Sequence, residues 1–185
     1  MAVFHRRQHL GKDYFMEHVL DVKKLVNELT LEEKASLCSG ADFWHTKAID
    51  RLNIPAAMVS DGPHGIRKQE SLADHMGVAE SIKAIGFPTA SAMACSFDRD
   101  LLHKVGDALG EECVAEDLAV LLGPGINMKR SPICGRNFEY YSEDPLLAGR
   151  MAGAMTNGVQ NVPGCGTTIK HFACNNQEDN RMGVD

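Results

Sequence analysis

The residues of this 185-residue chain best suited to chemistry gather in a few short strings. Upstream lies Ser60-Asp61-Gly62-Pro63-His64-Gly65-Ile66-Arg67. The last fifty residues hold Gly135-Arg136-Asn137-Phe138-Glu139, Ser142-Glu143-Asp144-Pro145, Lys170-His171-Phe172 and then Arg181. Each places charged or hydrogen-bonding side chains soon after a short apolar run. Asp61 can accept from two adjacent hydroxyls, while Arg67, Arg136, Lys170 and His171 can donate to others. Charge-assisted hydrogen bonds are stronger than neutral ones, and arginine presents a planar fork of donors. Such a set suits a polyhydroxylated ligand. It also suits an anion such as a phosphate ester, so charge alone leaves both classes open.

Plainer roles exist for each residue. Loop arginines such as Arg67 and Arg181 are commonly solvated or paired at the surface. Asp61 before Gly-Pro is a good turn residue. Lys170 and His171 can be a strand end meeting water. Glu139 and Glu143 can cap the helix that follows them. His5 and His9 are spaced i,i+4, as a helical metal pair would be, but they lie in a basic terminus where disorder is common.

The elements that would position these groups alternate. Helical periodicity runs over 17–29, and Thr30-Leu31-Glu32-Glu33 opens a second helix over 31–38 with a capping-box pattern. Short apolar runs at 55–59, 87–93, 119–123 and 166–171 read as strands. The second is weak by β-propensity. Helical spacing recurs over 98–118 and again from Asp144-Pro145 to about 159, with Pro145 suited to a first turn. Residues 68–86 read as a long surface loop. Repeated strand, loop and helix imply a parallel sheet with right-handed crossovers. Four such units are half of an eight-stranded barrel, which needs about 250 residues. In a barrel, chemistry sits on the loops after the C-terminal ends of strands, where Asp61, Arg136, Lys170 and His171 fall. A doubly wound open sheet fits the same order. Its nucleotide fingerprints are missing, because Gly123-Pro124-Gly125-Ile126-Asn127-Met128 fails the last glycine of GxGxxG.

Bulk properties narrow the function classes. Nineteen basic against 25 acidic residues give a net charge of −6, which disfavours nucleic acid and anionic membrane as partners. No run approaches the roughly 20 apolar residues of a membrane span. The N-terminus lacks the apolar stretch of a secretion signal, so a cytoplasmic location is expected. The six cysteines form no CxxC pair and no zinc spacing, and they are expected to be reduced and mostly buried. No metal or cofactor is expected.

Taken in order, Ser60 to Arg67, Gly123-Pro124-Gly125-Ile126-Asn127, Gly135 to Glu139 with Ser142 to Pro145, and Lys170-His171-Phe172 with Asn176-Gln177-Glu178 and Arg181 resemble the N-terminal domain of glycoside hydrolase family 3, in its β-glucosidase branch. The resemblance runs from about Val22 to Asp185. It implies an α/β fold forming the N-terminal half of a (β/α)8 TIM-type barrel, with an N-terminal arm and helix over 1–29 and an incomplete barrel over 30–185. It also implies that Asp61, Arg67, Arg136, Lys170, His171 and Arg181 line the −1 subsite for a terminal β-D-glucosyl residue. The Asp-Gly-Pro-His-Gly form is more similar to glucosidases than to xylosidases. The loop Lys170-His171-Phe172-Ala173-Cys174-Asn175-Asn176 departs from the β-N-acetylglucosaminidase pattern. Retaining hydrolysis needs a nucleophile and an acid/base about 5–5.5 Å apart. The family's nucleophile is an aspartate before tryptophan. The only tryptophan here, Trp44, follows Phe43. The resemblance therefore places both reacting carboxylates beyond Asp185 and implies little activity for these residues alone, with a homo-oligomer or a missing C-terminal half as partner. A non-catalytic sugar-binding or scaffold role is the alternative.

Overall fold

The computed structural model describes residues 21–69 and 80–183. His5 and His9, the start of the helix expected from residue 17, and most of the loop expected over 68–86 lie outside them. The described residues form two compact units that divide between Ala56 and Ala57.

In the first unit, α1 (Val22–Glu28) is N-capped by Asp21, which accepts from the Lys24 amide at 2.9 Å. The chain then turns into α2 (Leu31–Leu37). Thr30 and Glu33 close the expected capping box: Glu33 N–H donates to Thr30 Oγ1 and Thr30 N–H donates to Glu33 Oε2. Arg51 donates to the same Glu33 carboxylate at 2.6 Å and to the Glu28 carbonyl at 3.0 Å, tying the two helices to the following loop.

The second unit is built on three parallel strands, β1 (Val59–Asp61), β2 (Val120–Leu122) and β3 (Gly166–Thr167), in that spatial order. Val59 stands opposite Val120, and Leu121 opposite Thr167. Helix α3 (Ala90–Ala94) and the long α4 (Arg99–Ala115) lie between the first two strands in sequence, and α5 (Pro145–Asn161) between the last two. The caps are local and legible. Asp98 accepts from the amides of Asp100 and Leu101, and Asp144 accepts from that of Leu146 with Pro145 in the first turn. Among the described residues, no helix is long and apolar enough to cross a membrane.

Two expectations change. The run over 87–93 is no strand. Thr89 accepts from the Ala92 amide as an N-cap, and Ala90, Met93 and Ala94 bury at the i, i+3, i+4 spacing of a helix. Alanine and methionine favour that choice. Three paired strands therefore stand where four were expected among the described residues. The final strand is also shorter than 166–171. Its pairing resumes three residues later, where Gly125 bridges Lys170. The cysteines are free, with Cys113, Cys134 and Cys165 buried but Cys38, Cys95 and Cys174 exposed, so burial is less general than expected.

The core of this unit joins Leu102, Leu109 and Cys113 of α4 to Met151, Met155 and Val159 of α5, under Leu118 and Leu121. The helices approach so closely that their backbones nearly touch. A Cβ at Gly158 would stand 2.1 Å from the His103 carbonyl oxygen, and one at Gly106 would stand 2.3 Å from that of Met155. On the same helix, Gly149 and Gly153 face open space. Gly158→Ala is expected to destabilise the chain by about 1–3 kcal/mol through overpacking. Gly153→Ala should be neutral or stabilise by up to about 1 kcal/mol through helix propensity. Urea midpoints of the two variants check this pair, and similar midpoints would refute the close crossing.

Candidate functional site

Asp61 closes β1, and the chain reverses at once through Gly62 and Gly65, at φ +130° and +133°. A Cβ on Gly62 would meet the Gly65 carbonyl oxygen at 2.2 Å, so the turn admits only glycine there. The Arg67 amide donates back to the Asp61 carbonyl at 2.9 Å, which returns Arg67 to the mouth of the strand. The loop after β2 carries Gly123-Pro124-Gly125 beside the chain leaving β3: the Lys170 amide donates to Pro124 and the Ile126 amide to Lys170. Gly125 lies flat against the Tyr140 ring, where a Cβ would sit 2.9 Å away. These backbone contacts bring Asp61, Lys170 and the 136–140 segment to one end of the sheet.

Their side chains form a connected polar network. Lys170 Nζ donates to Asp61 Oδ1 at 2.9 Å and lies 3.8 Å from Glu139 Oε2. Arg136 pairs with Glu139 Oε1, and its other nitrogens reach Glu178 at 3.7 Å and His171 Nε2 at 2.7 Å. Glu139 is 8% exposed and Lys170 15%, whereas Asp61 stays 37% exposed. Asp61 Oδ2 has no partner among the described residues. A cleft of about 460 Å³ opens here, lined by Asp61, His64, Arg67, Arg136, Phe138 and Lys170 among others. The Nε of Arg67 and both ring nitrogens of His64 are buried without partners. Burial lowers the His64 pKa, so its imidazole is neutral.

His171 has a single consistent protonation pattern. Arginine has no acceptor, so His171 Nε2 must accept from Arg136. The ring proton then sits on Nδ1 and donates to Tyr140 Oη at 2.8 Å. That hydroxyl also accepts from Asn175 Nδ2 at 2.9 Å and donates to the Asn175 carbonyl at 3.3 Å. Burial first, then the Arg136 and Lys170 charges, pull the His171 pKa down to about 4. The His171 amide is itself anchored on Asn127 Oδ1 at 2.8 Å.

Of the six residues singled out in sequence, Asp61, Arg67, Arg136 and Lys170 line the cleft. His171 stands behind Arg136 with both ring nitrogens engaged by the protein, so it orients that arginine and has no spare donor for a ligand. Arg181 is half-exposed, pairs with Glu178 at 3.4 Å and lies outside the cleft lining. Glu139 is not a helix cap, since Asp144 fills that place for α5, but the anion at the centre of the network. Tyr140, Asn127, Asn175 and Glu178 also join the network unforeseen, because their partners are remote in sequence. Among the described residues, no group of three or more His, Cys, Asp or Glu side chains converges as a metal ion would require.

The His171 network has a consequence for stability. An unfolded imidazole protonates near pH 6.5, the folded one only near 4. Between those values the unfolded chain binds the extra proton, so this contribution is whole above pH 6.5 and is lost as pH falls towards 4. The thermal midpoint of the parent chain should therefore fall further between pH 7 and pH 5 than that of His171→Gln. Equal falls would contradict the neutral, engaged ring.

Known proteins share this arrangement of chain. The model for the glycosyl hydrolase family 3 N-terminal domain matches residues 23–184. Thermostable beta-glucosidase B of Acetivibrio thermocellus is 57% identical over 166 residues, spanning 90% of this chain and 22% of that protein. An exo-alpha-(1->6)-L-arabinopyranosidase of Bifidobacterium longum is 52% identical over 161 residues, 86% of this chain and 21% of its own. The crystal structure of a Kluyveromyces marxianus beta-glucosidase in complex with glucose superposes with a TM-score of 0.77 at 44% identity, covering 88% of this chain and 18% of that one. The chain thus spans about a fifth of the length of these relatives. With a family match over nearly its whole length and a parallel α/β sheet to carry it, the chain belongs to glycoside hydrolase family 3, as part of the N-terminal domain.

Proposed function

We propose that these residues grip the terminal sugar in a retaining β-glucosidase, and that the whole protein hydrolyses terminal β-D-glucosyl residues from glucosides or oligosaccharides. The observation that carries this reading is the Asp61–Lys170–Glu139 chain at the edge of a 460 Å³ cleft. A volume of that order suits a small ligand. Asp61 keeps one oxygen free to accept from sugar hydroxyls. Arg67 and Arg136 offer donors from the same lining. The similarity to a glucose-bound structure and to a β-glucosidase at 57% identity supports a glucosyl residue as the sugar.

The carboxylates of the cleft position a ligand and do not break its bond. Glu139 is held by Arg136 and Lys170, and Asp61 by Lys170. A nucleophile and an acid/base must flank the scissile bond, one of them free to move a proton. No aspartate precedes a tryptophan in residues 1–185. Two of the three cleft cations also face carboxylates, Lys170 meeting Asp61 and Arg136 meeting Glu139, while Arg67 has no ion pair among the described residues. This compensation favours a neutral polyol over a phosphorylated substrate.

Glucose titrated calorimetrically into the 185-residue chain should bind, and Asp61→Asn should weaken it about 10- to 100-fold, the loss of a charged hydrogen-bonding acceptor. Unchanged glucose affinity in the variant, or tighter binding of a glucose phosphate than of glucose, would sink the reading. With an aryl β-glucoside, the same chain should show no more than trace turnover, and rapid release of the aryl alcohol would show that reacting carboxylates are present after all.

A further inference from the structure

A second cleft, of about 610 Å³, lies beside α3 and shares no lining residue with the Asp61 cleft. Its lining grades from buried to exposed. Ala94 and Tyr141 are each 3% exposed, Lys129 and Leu147 are half-buried, and Phe97 and Arg130 are exposed.

The polar groups of this lining are unevenly satisfied. Lys129 Nζ donates to Ser91 Oγ at 2.5 Å. The single Ser91 hydroxyl proton is within reach of the carbonyls of Asn137 at 2.9 Å, Tyr140 at 3.2 Å and Phe138 at 3.4 Å, so it has no donor left for a ligand. The remaining Lys129 protons have no partner among the described residues. Neither Lys129 nor Arg130 has a carboxylate within ion-pair distance among those residues. Burial lowers the Lys129 pKa, partly opposed by the neighbouring Cys95. The Tyr141 hydroxyl is buried with no hydrogen-bond partner. An orphaned buried hydroxyl costs about 1–3 kcal/mol, and a structure that keeps one commonly supplies water or a ligand.

Two cations call for an anion, and the single rim carboxylate, Glu143, leaves positive charge in excess. The apolar surface of Leu147, Ala94 and Phe97 calls for carbon. We infer that this cleft binds a small amphipathic carboxylate, with its charged end on Lys129 and Arg130 and its apolar body against Leu147 and Phe97. A bare inorganic anion would leave that apolar wall wet.

Benzoate is a suitable probe, with benzamide as its neutral isostere and inorganic phosphate as the anion without an apolar body. Titration of the 185-residue chain, followed by protein NMR shifts, should show saturable benzoate binding at residues 91–97 and 129–147. Benzamide and phosphate should each bind at least ten-fold more weakly. Lys129→Met should weaken benzoate at least ten-fold, in line with a lost charged hydrogen bond. Arg130→Ala alters an exposed side chain and so tests the same charge without risk to the fold; it should weaken benzoate several-fold. Saturating glucose should not displace the probe, which separates this site from the Asp61 cleft whether or not glucose binds there. Equal affinity for benzamide or phosphate, benzoate binding untouched in both Lys129→Met and Arg130→Ala, or displacement by glucose would each overturn the inference.

Discussion

Glu139 is nearly enclosed, and a carboxylate taken out of water is tolerated only where cations and donors replace its hydration. Much of the site follows from that constraint. Arg136 lies across one oxygen and Lys170 approaches the other. Arg136 must then be held in its plane, which His171 and Glu178 do from behind. Lys170 has a second anion to satisfy, and Asp61 lies at its other side at 2.9 Å. The second oxygen of Asp61 is left without a partner among the described residues, at the lining of the cleft.

The fold delivers these groups by backbone means. Parallel strands end together, so Asp61 at the close of β1 and Lys170 just past β3 arrive at one edge. The β2 strand contributes no charged side chain there, but its following loop braces both neighbours through Pro124 and Gly125. Glycine is required at Gly62 by the reversal after Asp61, and at Gly125 by the Tyr140 ring. Behind the sheet, the crossing of α4 and α5 at Gly106 and Gly158 sets how tightly the helical layer packs.

Local chemistry was well legible in the sequence, and long-range partnership was not. The Thr30–Glu33 capping box, the periodicity of α4 and the first-turn place of Pro145 depend on neighbours within a turn or two, and all appear in the structure. The α3 segment was misread because Phe87-Pro88 and a run of small apolar residues looked like a short strand; the Thr89 cap and the spacing of Ala90, Met93 and Ala94 were the overlooked signal. Asp61 and Lys170 could be placed because strand ends share an edge. Glu139 could not, since its role depends on a lysine 31 positions away, and an acid shortly before a helix looks like a cap. The tautomer of His171 likewise depends on Arg136 and Tyr140, each more than 30 residues distant.

Asp61 and Lys170 are separated by 109 positions along the chain. Their junction cannot form until the first and last strands of the sheet are both in place. Contacts of such long sequence separation are completed late and only after the loop-closure entropy has been met. A ligand that bridges the two would bind the finished sheet and ignore every partly built form, drawing the population towards it. Occupancy by such a ligand would then serve as a readout of assembly as well as of recognition: on a chain still being synthesised, no ligand can bridge the pair until the lysine has emerged.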